Sequence, residues 1–80
     1  MIVSMYMVFS WDDNEDEETF LYMSTDEYCA IKWAEEYYNK IKYHTWIKYQ
    51  EINLNDFYPY DYCNYIPNDE NIIWERKTEE

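Results

Sequence analysis

Ser24-Thr25-Asp26-Glu27-Tyr28-Cys29-Ala30-Ile31-Lys32-Trp33-Ala34-Glu35-Glu36-Tyr37-Tyr38-Asn39-Lys40-Ile41-Lys42-Tyr43 carries a sustained helical period. Ala30, Trp33, Ala34, Tyr37, Tyr38 and Ile41 fall on one side, and Lys32, Glu35, Glu36, Asn39 and Lys42 fall on the other. That spacing predicts an amphipathic helix from about Thr25 to about Tyr43, with one face laid on a sheet. Ser24 and Glu27 stand at the S-x-x-E spacing of a capping box, in which hydroxyl and carboxylate satisfy the free donors of a helix start. Acids at the start and lysines at the end also suit the helix dipole.

Extended segments flank this helix on both sides. Ile2 to Trp11 alternates, with Val3, Met5, Met7, Phe9 and Trp11 assigned to the core face, and reads as a strand. Asp12 to Glu18 breaks the pattern with six carboxylates around Asn14. Thr19 to Met23 then resumes it, which predicts a hairpin with an acidic loop at 12–18. Thr45 to Leu54 reads as a third strand whose imperfect alternation predicts a bulge. Pro59 and Pro67 exclude a long central strand over 55–70, so that stretch reads as a Tyr/Asp-rich loop. Ile72 to Trp74 makes a short last strand, and Thr78 to Glu80 reads as a fraying end. The order is β-β-α-β-β: one α+β domain over residues 1–80, a small mostly antiparallel sheet with one helix packed on it.

Eighty residues leave room for one core and no separate cofactor module. Apolar residues at 48% and aromatics at 22% are enough to fold, although a core this small benefits from self-association, which makes a homodimer an expected option. Eleven Tyr and four Trp dominate the apolar content, and these amphipathic rings favour a binding surface. The net charge of −12 repels nucleic acid and anionic membranes while attracting basic protein surfaces. With no Gly and about half of the residues drawn from Ile, Asn, Lys, Tyr, Met and Phe, the chain suits an AT-biased phage or mobile-element gene of a low-GC bacterium. Its first residues lack a basic region before the apolar stretch, which points to a cytoplasmic protein with Cys29 and Cys63 reduced.

Motifs for chemistry are weak. Asp12, Asn14 and Asp16 open like a calcium loop, but Glu17 replaces the turn glycine and Met23 the bidentate glutamate. Cys29, His44 and Cys63 offer soft ligands for zinc without a zinc-site spacing, and Cys29 is expected to pack as a small buried hydrophobe. Acids surround both His44 and the thiols, which disfavours a thiolate nucleophile, and no Gly-rich loop exists to cradle phosphate. The expectation is a binder without catalysis and without a cofactor.

Acids and rings form the remaining pattern. Asp12, Asp13, Glu15, Asp16, Glu17 and Glu18 make one cluster, and Glu35 and Glu36 on the helix, with Asp26 and Glu27, make a second. Asp56, Tyr58, Tyr60 and Asp61 make a third. Gathered on one side, they would hold carboxylates where DNA phosphates lie, with tyrosines as anchors in a basic groove.

In size, acidity, Asn- and Tyr-rich composition and hairpin-helix-strand layout, the chain resembles the small phage-encoded anti-CRISPR and anti-restriction proteins. The resemblance implies a stoichiometric inhibitor of a bacterial CRISPR or restriction nuclease. A Cas9-type effector is the leading target, because acidic inhibitors can act as DNA mimics on its DNA-binding surfaces and block DNA binding or loading. A self-associating structural or accessory phage protein and a zinc-binding module are the alternatives.

Overall fold

The computed structural model describes residues 1–53, 55 and 71–78. Strands β1 (Ile2–Asp12) and β2 (Glu17–Ser24) form a hairpin, helix α1 (Glu27–Ile41) follows, and β3 (Thr45–Asn53) and β4 (Ile72–Arg76) complete the fold. The strands lie in the order β2-β1-β3-β4, and every pairing is antiparallel. The β-β-α-β-β order and the α+β class are therefore as the sequence predicts. No helix among the described residues is long and apolar enough to cross a membrane.

β1 sits centrally because it can be covered on both faces. Met7, Val8, Phe9 and Ser10 are consecutive and all buried, the mark of a strand enclosed from both sides. Directly opposed residues in an antiparallel pair share a face. One face carries Val8 opposite Ile47, and Ala30 and Ala34 of α1 pack there, with Tyr6, Leu21, Tyr22, Ile31, Trp33 and Trp74 around them. Two alanines one turn apart let the helix approach closely. The other face carries Met5, Met7, Phe9, Trp46 and Ile52, flanked by Val3, Phe20, Met23 and Ile72.

The odd positions of β1 thus form a core, but the helix lies on the even face. Alternation cannot assign a helix to one face when both are apolar. Two register shifts refine the sheet. Leu21 is the extra residue opposite Val8 and Phe9, so that Leu21 and Tyr22 both reach the helix-side core. β3 pairs β1 without a break, and the irregularity expected in it falls instead on β4, at Ile73 opposite Ile47 and Lys48.

The helix is shorter than its periodicity suggests, and its cap differs. Asp26 is the N-cap, its Oδ1 accepting the Cys29 N–H at 3.1 Å, while Ser24 Oγ accepts the Asp26 N–H at 3.0 Å. Glu27 consequently opens the helix instead of closing a capping box. Lys42, at φ 66°, ends it in a left-handed turn, with its N–H on the Tyr38 carbonyl at 2.8 Å. Ala30, Ala34 and Tyr38 set the buried stripe, which turns Cys29 outward; the expected burial of this thiol is corrected by its exposure. Replacing Asp26 by alanine is expected to cost about 1 kcal/mol. A thermal melt checks this as a fall of about 4–8 °C.

Candidate protein-binding surface

The acidic hairpin is ordered by its own first residue. Asp12 Oδ1 accepts the N–H groups of Asn14 at 2.8 Å and Glu15 at 3.2 Å, and the Asp12 carbonyl accepts the Asp16 N–H at 2.7 Å. This Asx-type turn suits Asp because a short carboxylate can replace the backbone acceptor. Asp16 stands at φ 54°, a left-handed conformation that Asp tolerates better than most residues. The tip is also tied to the body: Asn14 Nδ2 donates to Tyr43 Oη at 3.2 Å, and Trp11 N–H donates to the His44 carbonyl at 2.9 Å.

The candidate acids at this end divide by role. Asp12 is half-buried and structural, and Glu18 lies 3.5 Å from Lys48 Nζ. Asp13, Glu15, Asp16 and Glu17 are exposed, and among the described residues none of them meets a cation in an ion pair. Four outward charges therefore stand on an ordered turn. Asp12→Ala is expected to remove the oxygen that accepts both N–H groups and destabilise the protein by about 1–2 kcal/mol. Faster amide exchange at Asn14 and Glu15 in the variant than in the native chain would record that loss.

The other candidates are distributed elsewhere. Glu36 is exposed on the outer side of α1, whereas Glu35 lines a cleft of about 400 Å³ with Tyr38, Asn39, Lys42, Arg76 and Lys77, where cations offset its charge. Asp26 and Glu27 lie at the helix start, and the acidic turn lies at the opposite end of the sheet, beside Tyr43 and His44. Asp56, Tyr58, Tyr60 and Asp61 lie outside the described residues. Of the zinc candidates, Cys63 also lies outside them. Cys29 and His44 flank a helical span of roughly 18 Å at 1.5 Å rise per residue, too far apart to share one ion. Among the described residues no three His, Cys, Asp or Glu side chains gather as a metal site.

Below the turn, on the helix-free face, a cleft of about 300 Å³ is lined by Trp11, Glu18, His44, Trp46, Ile72 and Glu75. Every strand contributes to it. Register explains the grouping: Trp11 pairs with Glu18, Trp46 pairs with Glu75, and the Trp11–His44 hydrogen bond joins the two pairs. His44 Nε2 lies 2.6 Å from Glu75 Oε2, with the ring nitrogen donating to the acceptor-only carboxylate. The His44 and Trp46 rings are 4.7 Å apart, and Phe9 stacks on Trp46 at 6.2 Å. Lys48 is 4% exposed and holds its ammonium 5.0 Å from the Phe9 ring centroid, while Trp11 is 37% exposed. The cleft thus combines ring walls with carboxylates on both sides.

No family model, curated protein or solved structure matches this chain.

Its own geometry carries the reading of the site. Sequence reasoning selected the acidic turn and missed Trp11, His44, Trp46 and Glu75 as a group. In the sequence Trp11 falls on the core face of the first alternation, Trp46 within the third extended segment, and His44 among the soft metal ligands. The usable signal was the mixture of ring and acid at the ends of the strands, which becomes a site only once the register is known.

Proposed function

We propose that this protein is a non-catalytic inhibitor that docks its acidic hairpin on a basic, nucleic-acid-handling surface of a bacterial defence nuclease in the cytoplasm of an infected host. The observation that carries the proposal is the pre-ordered turn with Asp13, Glu15, Asp16 and Glu17 exposed and without described ion-pair partners. A turn whose backbone is already ordered needs little rearrangement on binding, so more of the attraction of its carboxylates appears as affinity. Glu36 extends the same charge along the helix. The likeness in composition and layout to anti-CRISPR proteins favours a Cas9-type effector, with loss of DNA binding or loading as the outcome.

Capture from a nuclease-treated lysate of a low-GC bacterium, on immobilised protein, tests this. The proposal expects a nucleic-acid-handling protein that is retained by the native chain and displaced by added DNA or guide RNA. Retention that added nucleic acid leaves unchanged would contradict it.

A further inference from the structure

Resting on the reading of the acidic hairpin as a binder of basic proteins, we propose that the cleft at the base of the hairpin takes the guanidinium of an arginine side chain of the partner. At about 300 Å³ it lies at the lower end of small-molecule sites, which suits one side chain. Trp11, 37% exposed, lines the cleft with its indole, a surface on which a planar, weakly hydrated guanidinium stacks better than a lysine ammonium, and the buried Trp46 forms the floor. The same sheet already uses such contacts: Arg76 stands 4.9 Å from the Trp74 ring centroid and Lys48 5.0 Å from that of Phe9.

The charges fit as well. Glu18 and Glu75 flank the cleft on β2 and β4, with side chains about one third exposed. Lys48 Nζ lies 3.5 Å from one oxygen of Glu18 and His44 Nε2 2.6 Å from one oxygen of Glu75, and an ionised carboxylate has about four acceptor sites. The two carboxylates outnumber the one ammonium, Lys48, that meets them. The four outward acids of the turn stand directly above and raise the local concentration of cations. An arginine buried between rings and carboxylates has the character of an interface hot spot.

The test is an NMR titration of the full chain with N-acetyl-arginine amide and, in parallel, N-acetyl-lysine amide. Saturable shifts of the Trp11 and Trp46 indole N–H signals are expected, with the arginine probe at least about fivefold tighter than the lysine probe. Trp11→Ala and Glu75→Gln should each weaken the arginine probe at least about fivefold, while the amide signals of α1 stay in place. Shifts that do not saturate, equal response to both probes, or unchanged binding in Trp11→Ala would overturn the assignment. The two readings fail separately. Saturation by the probe without a nucleic-acid-handling partner in the lysate would sink only the functional reading; such a partner without probe binding would sink only the cleft.

Discussion

Replacing Phe9 by alanine is expected to destabilise the domain by about 3–5 kcal/mol, the usual cost of emptying a buried aromatic site. Phe9 is 1% exposed and joins three strands: it meets Phe20 edge-on at 5.5 Å, stacks on Trp46 at 6.2 Å and lies beneath the Lys48 ammonium. Alanine would leave a void that a sheet cannot close, and would remove the ring against which the Lys48 ammonium packs. A domain of this size has only about 5–10 kcal/mol in hand, so a large part of its stability would be lost. A thermal melt should show a midpoint lower by about 15–30 °C, and a fall of less than about 5 °C would show that the helix-free face contributes little to the core.

Reversal of Asp13, Glu15 and Glu17 to lysine is expected to weaken binding to the basic partner by more than about tenfold. Three reversals of two charges each change the net charge from −12 to −6, so the loss must be separated from a general effect of charge. Asp16 is kept because its positive φ favours Asp over lysine. Reversal of Glu27 and Glu51, both exposed and placed toward the other end of the sheet, supplies the comparison. Per charge reversed, that pair should cost less than about one third of what the turn costs, because salt screens charges more than about 8–10 Å from the contact. Equal losses per charge would indicate diffuse attraction instead of a docking turn. Amide spectra of all variants establish that the fold is kept.

The helix and the hairpin were legible because each is announced by local chemistry: a 3.6-residue period at 30–41, and a run of carboxylates at 12–18 within which β1 ends at Asp12 and β2 begins at Glu17. What escaped was the layer order. Met7, Val8, Phe9 and Ser10 are buried together, and no period reveals which side of such a strand a helix will take. The capping box at Ser24 misled for a related reason: Ser24, Thr25 and Asp26 all suit an N-cap, and Asp26 holds the role with Ser24 bracing it.

The site was legible only where it is contiguous. Asp12 to Glu18 is a single run, and its order follows from Asp12 reaching the next two backbone donors. The cleft draws Trp11, Glu18, Trp46 and Glu75 from four strands and His44 from the residue before β3, and its shape depends on the shift at Ile73, which no residue pattern in β4 announces. Helix acids that are equivalent in the sequence also differ in setting: Glu36 faces water, whereas Glu35 shares a cleft with Lys42, Arg76 and Lys77.

Salt dependence of the affinity for the captured nuclease tests the central claim most directly. With carboxylates occupying phosphate positions, the dissociation constant should rise by at least about a hundredfold between about 50 and 500 mM salt. Nucleic acid should compete for the same surface throughout that range. An affinity that stays flat across the range, or a stable ternary complex in which the nuclease still holds its DNA and guide, would contradict the account.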